Sequence, residues 1–269
     1  MVALGGDVLS RYVAFSRFNS PYPAHDRGRA VDLYPDSGAP SPVAGEVTQT
    51  RSVQCPDRPY AEDRDYLIVI DTGEHLARIL HVEPEVESGA RVSIGENLGR
   101  TVRSGYFAPW VDNHLHVGFR EPGTDPVRAS GSLPVELGID VEGVAWDGTG
   151  TVVETGETYV VLDGPGHPGE GFAGIAADGG GVLDGGLAHY DGGGLVGGDD
   201  GTVRLLGEPI GRSREEVVDW TDLEVRANGT TVTGLSLGCY RDRLGAKLVA
   251  WDGVPADVGE EVSVEIRVS

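Results

Sequence analysis

Apolar residues in this 269-residue chain come in short alternating runs, broken every few positions by glycine, proline or aspartate, which leaves little room for helices. Leu67-Ile68-Val69-Ile70 is a run of buried-strand type that stops at Asp71-Thr72-Gly73. Over residues 114–119, Leu115, Val117 and Phe119 fall on one face, with His114, His116 and Gly118 on the other. The C-terminus repeats the device with Val262, Val264, Ile266 and Val268. Asn228-Gly229, between two such runs, is a two-residue hairpin signal, because both turn positions need positive φ. The one helix signal is Ser213-Arg214-Glu215-Glu216, which fits a capping box at the start of a short helix. The chain therefore reads as all-β.

The length fits two ordinary domains or one large one. A Pro/Gly/Ser-rich stretch at residues 121–132 separates a histidine-bearing first part, 1–132, from a second β domain, 133–269. Glycine makes up 42 of the 269 residues, about twice the usual share. The densest run, residues 164–201, has the Asp and Gly content of a calcium β-roll but no nine-residue period, and reads as wide turns between short strands.

Charge excludes several functions. With 43 Asp+Glu against 21 Lys+Arg, the net charge is −22, which argues against nucleic acid and against an anionic membrane. A single lysine, Lys247, stands among those cations, and an acidic, nearly lysine-free surface suits concentrated salt. No run is apolar enough to span a membrane. The first residues lack the cationic start and apolar run of a signal peptide, so the expected location is the cytoplasm. Cys55 and Cys239 read as two thiols before a long-range bridge.

Five of the seven histidines lie in residues 25–116. Three contexts are patterned: His25-Asp26-Arg27-Gly28-Arg29-Ala30-Val31-Asp32, then Ile79-Leu80-His81-Val82, then His114-Leu115-His116. A His-x-His pair on a strand puts both imidazoles on one face. His25, Asp32 and His116 supply two neutral nitrogen ligands and one carboxylate, leaving a fourth position for water, as in catalytic zinc sites. The plainer readings are a surface His-x-His without metal, a turn-capping Asp32 and a core His81. His75 reads as structural, and His167 and His189 as surface residues.

In order, HDRGRAVDL, GAPSPVAGEV, ILHV, SGARVSIGENLGR and HLHVGFR resemble the LytM/lysostaphin-type zinc endopeptidases over residues 20–128. Gly89, Val92, Gly95 and Gly99 match the family's Gly-spaced segment, and His114-Leu115-His116 its terminal motif. One departure stands out. Four residues before Asp32, where that family places its first histidine, this chain has Gly28. The pattern His-x-x-Gly-x-Ala-x-Asp is instead similar to the related D-alanyl-D-alanine metallopeptidases, with His25 as the displaced ligand. The competing reading is a degenerate site of Asp32 and His116 alone.

The resemblance implies Zn2+ on His25, Asp32 and His116, with His81 and His114 flanking the bound water and the scissile carbonyl. Tyr106, Phe107 and Trp110 are candidates for a groove wall. It further implies hydrolysis of an amide bond in a peptide or cell-envelope peptide. Two alternatives remain: a catalytically inactive domain that binds or regulates a protein, and a carbohydrate- or envelope-binding β protein whose histidines are incidental.

Overall fold

Alternation in the sequence becomes a series of short strands in the computed structural model, which describes residues 1–23, 25, 27–128 and 131–269. Residues 129 and 130 of the Pro/Gly/Ser-rich stretch, and 24 and 26 beside His25, lie outside the described residues. Internal contacts divide the chain into Met1–Phe15 with Pro23–Ile139, and Ser16–Tyr22 with Asp140–Ser269.

The first part of the chain runs β1 (Val2–Gly5), α1 (Gly6–Leu9), β2 (Ala14–Ser16), β3 (Ala30–Tyr34), β4 (Gly45–Gln54) and β5 (Arg64–Asp71). It continues with β6 (Leu76–Leu80), β7 (Val82–Pro84), β8 (Arg91–Val92), β9 (Gly99–Thr101), β10 (Leu115–Arg120) and β11 (Val135–Gly138). Six of these lie side by side in the order β3-β10-β6-β5-β4-β8. All are antiparallel.

Leu67, Ile68, Val69 and Ile70 on β5 are all buried, so both faces of that strand are covered. Val31 and Leu33 on β3, Ile79 on β6, and Leu115, Val117 and Phe119 on β10 complete the core. Residues 133–139, which the sequence groups with the second half, pair inside the first unit: β11 runs parallel to β1, Val2 opposite Val135.

The second unit is built on a twelve-stranded sheet. Asn228 and Gly229, at φ +48° and +80°, join Leu223–Ala227 to Thr230–Val232, as the hairpin signal requires. Along Glu261–Val268, Val262, Val264 and Ile266 are buried in alternation.

The expected helix at Ser213 does not form. Glu208–Arg214 and Val217–Trp220 are paired strands, and Glu215 and Glu216, at φ +50° and +67°, make the turn between them. The Ser213 hydroxyl donates to the Asp199 carbonyl and accepts from the Gly201 N–H, so it caps no helix. Buried Ile210 and Val218 tip the segment to strand.

The glycine-dense run folds, as expected, into short strands joined by turns. Gly192–Val196 pairs with Val182–Leu187, Gly185 opposite Gly193. Rings occupy the places of the missing side chains: a Cβ on Gly193 would lie 2.1 Å from the Trp220 ring, and one on Gly194 2.1 Å from the Phe18 ring. Buried Asp184, in the same strand pair, accepts hydrogen bonds from the Ser16 hydroxyl and the Arg17 N–H.

His189 is half-buried rather than a surface residue, packed against Tyr190 and over Gly186 and Gly234. Burial pushes its imidazole down to about 4. The unfolded chain then takes up a proton near pH 6.5 that the folded chain refuses. Stability is thus complete above pH 6.5 and falls as the pH drops toward 4, by at most about 3 kcal/mol. Urea titrations at several pH values should show a steeper loss for the unchanged chain than for His189→Phe; parallel losses would sink the assignment.

Cys55 and Cys239 are both free thiols. Among the described residues, no helix is long and apolar enough to cross a membrane.

Candidate metal centre

The centre follows from strand register. β10 lies between β3 and β6, with His116 opposite Asp32 on one side and Leu80 on the other. Directly paired residues of antiparallel strands share a face, so Asp32 and His116 meet side by side. His114 precedes β10, and His81 follows Leu80 in the one-residue gap between β6 and β7. His25 arrives from the loop before β3. There the Gly28 N–H donates to the His25 carbonyl at 3.0 Å, with Gly28 at φ +58°, a turn open to glycine.

Three donor atoms converge. His116 Nδ1 lies 3.0 Å from Asp32 Oδ1, and His25 Nε2 lies 3.0 Å from His116 Nδ1 and 3.4 Å from Asp32 Oδ1. Among the described residues this is the His/Cys/Asp/Glu group whose ligand atoms gather closely enough to hold a metal ion, all within 4.8 Å of one another. Ligands of a tetrahedral ion with bonds of 2.0–2.1 Å stand roughly 3.3 Å apart, close to these separations.

Burial is nearly complete: side-chain exposure is 1% for His25, 3% for Asp32 and 15% for His116. Burial alone would raise the Asp32 carboxyl. The neighbouring His25 and His114, with hydrogen bonds from His116 and His25, instead hold it well below the usual carboxylate range. Burial pushes His116 down to about 4 and lowers His114 as well. At neutral pH both rings are uncharged, and their nitrogens crowd around an ionised oxygen. Such a donor set fits a divalent cation of zinc type.

The other two predicted residues are in the same cluster. The His114 ring lies 5.1 Å from that of His81, which lies 5.9 Å from that of His116. His114 Nε2 is 3.6 Å from Asp32 Oδ1. Of the three aromatic candidates for a wall, Phe107 packs on both His114 and His81, at 4.9 and 5.3 Å between ring centres. Trp110 is buried, and the Tyr106 hydroxyl donates to the Gln54 carbonyl. The Arg103 guanidinium holds this loop through the Pro109 and Val111 carbonyls and stacks 5.1 Å from the Phe107 ring.

Tyr34, two residues from Asp32 on β3, lies 5.1 Å from the His114 ring, a contact the strand period could have suggested. Asp65 and Ser104 carried no sequence signal. Asp65 sits in the acidic run Glu62-Asp63-Arg64-Asp65, where one buried carboxylate looks like its solvated neighbours. Yet it is fully buried and 2.7 Å from His81 Nδ1.

Comparison with known families places the chain. The domain of unknown function (DUF8155) N-terminal domain matches residues 3–137, and the DUF8155 C-terminal domain matches residues 142–267. The chain belongs to the DUF8155 family. Comparison with curated proteins yields no match. Among solved structures, this DUF8155 chain is similar to LytU, with 23% identity and a TM-score of 0.28, over 36% of this chain and 64% of that one. It thus spans less than two thirds of the LytU chain. It is also similar to the catalytic domain of the antimicrobial peptidase lysostaphin from Staphylococcus simulans, with 19% identity and a TM-score of 0.32, over 48% of this chain and 93% of that one.

Proposed function

We propose that the first unit is a zinc-dependent peptidase-like domain that hydrolyses an amide bond, with His25, Asp32 and His116 as the metal ligands. The observation that carries this reading is the convergence of two imidazole nitrogens and one carboxylate oxygen beside two further imidazoles. The order of the sequence motifs, ending in His114-Leu115-His116, supports it independently. A zinc ion held there supplies a water acidified to near neutrality and a Lewis acid for the amide carbonyl.

The chain's own residues do the rest. The His116 imidazole is neutral at pH 7, so moving its one ring proton to Nε2 frees Nδ1 as a ligand, and Asp32 contributes the negative charge. Phe107 covers one side of the His81–His114 pair, which keeps bulk water from competing for protons there. His81 and His114 are the groups placed to hold or move a proton. The substrate class that fits the family resemblance is a peptide, including a cell-envelope peptide. The second unit reads as an accessory all-β domain.

One observation favours a second reading, a metal-filled but silent module that binds a protein. His25 and Asp32 are almost inaccessible, and a peptide needs access. Metal analysis and an activity assay separate the two. The purified full chain, supplemented with zinc, is expected to hold one ion. It is expected to cleave glycine-rich or D-Ala-containing peptides in molar salt, with activity lost to a chelator and restored by zinc. Zinc without hydrolysis would favour the silent module. No zinc after supplementation would remove both.

A further inference from the structure

The two imidazoles that flank the centre differ in what holds their Nδ1 atoms. His114 Nδ1 lies 2.8 Å from the Asp112 carbonyl oxygen, which only accepts, so Nδ1 carries the proton and donates to a neutral group. His81 Nδ1 lies 2.7 Å from Asp65 Oδ2, and the donor there faces an ionised carboxylate. Burial works to raise the Asp65 carboxyl. Hydrogen bonding and charge from His81, with the Ser104 and Tyr66 bonds, bring it below its ordinary value.

Asp65 is itself tightly held. Its Oδ1 accepts the backbone N–H of Tyr66 at 2.7 Å and that of His81 at 3.1 Å. Its Oδ2 accepts the Ser104 hydroxyl at 2.8 Å in addition to the His81 ring. Ser104 in turn accepts the Tyr106 N–H at 3.2 Å, so its own proton is directed at Asp65. His81 has φ +69°, a left-handed conformation that a non-glycine residue adopts only when something holds it there. One carboxylate grips it there at two points, backbone N–H and ring N–H. The grip leaves Nε2 as the free ring atom, in a cluster with His114 and His116.

We propose that Asp65, held by Ser104, is a positioning residue that fixes His81 with Nδ1 protonated and Nε2 bare, so that His81 rather than His114 accepts the proton at the centre. The last clause rests on the peptidase reading; the tautomer does not. When the attacking water loses its proton, an O–H bond breaks and an Nε2–H bond forms, leaving His81 an imidazolium. Asp65 stabilises that cation through Nδ1–H without taking a proton; at His114 the Nδ1 partner is a neutral carbonyl, and the nearby Asp32 carboxylate is committed to the metal. The same proton then passes to the departing amine nitrogen, returning His81 to its starting state.

Nitrogen-15 spectra of the zinc-loaded full chain, with the His81 ring assigned, read the tautomer without any substrate. The expected result at neutral pH is a protonated Nδ1 and a bare Nε2. Ser104→Ala should raise the Nε2–H population, and Asp65→Asn should raise it further. In the hydrolysis assay, Asp65→Asn should lower kcat about 10²–10⁴-fold while KM and zinc content hold. An Nε2–H tautomer in the unchanged chain would overturn the proposal. So would variants with an unchanged tautomer and unchanged kcat. If no variant and no unchanged chain cleaves peptide, the peptidase reading fails, and the His81 tautomer alone decides the role of Asp65.

Discussion

His25→Ala should bind zinc roughly 10²–10³-fold more weakly than the unchanged chain. Apparent binding free energies of zinc sites with four protein ligands are about 10–16 kcal/mol, or about 3–4 kcal/mol per ligand, and each 1.4 kcal/mol is tenfold. His25 stands 3.0 Å from His116 Nδ1 and 3.4 Å from Asp32 Oδ1, so its loss leaves a two-donor site. Asp32→Ala and His116→Ala should lose at least as much. His75→Ala is the control: the His75 backbone closes a turn with Thr72 at the surface, away from the donors, and its loss should leave affinity unchanged. Competition with a chromophoric chelator measures all four. If His25→Ala binds as tightly as the unchanged chain, the site is the degenerate pair of Asp32 and His116, and the loop before β3 is only structural.

Strands could be read from the sequence because their signal is local. The alternation at 114–119 and at 262–268, and the Asn228-Gly229 turn, each need only their own neighbours to form. The site was legible as a set of side chains for a similar reason: His-x-His and His-x-x-Gly-x-Ala-x-Asp each lie within one segment. What joins them is not local. Asp32 meets His116 only because β3 and β10 pair in one register, and neither strand states that register alone. Asp65 shows the same limit more sharply. Its role depends on His81 being held in a left-handed conformation 16 residues away, and nothing around Asp65 marks it. The missed helix at Ser213 has the same cause: the residue carries a local preference for a helix cap, but the pairing of its strand with Val217–Trp220 outweighs it.

Within the Gly-spaced segment the glycines should not be equivalent: Gly99→Ala should cost the fold about 3 kcal/mol or more, and Gly89→Ala about 1 kcal/mol. Both have positive φ, +148° and +91°. A Cβ on Gly89 would meet nothing within 4 Å, so only the backbone conformation is penalised. A Cβ on Gly99 would lie 2.0 Å from the Glu83 carbonyl oxygen and 2.9 Å from the Glu85 nitrogen, and backbone cannot swing aside as a side chain can. The two strands would have to part, because Gly99 on β9 pairs with Pro84 on β7. That movement reaches the centre. β7 begins at Val82, directly after His81, and the Val102 N–H just past β9 donates to the His81 carbonyl at 2.9 Å. Gly99→Ala should therefore lower the midpoint of thermal unfolding by roughly 10 °C and disturb the His81 ring signals, whereas Gly89→Ala shifts the midpoint by a few degrees and leaves those signals in place. Equal losses at 89 and 99 would mean that positive φ alone selects these glycines and that close contact with β7 plays no part.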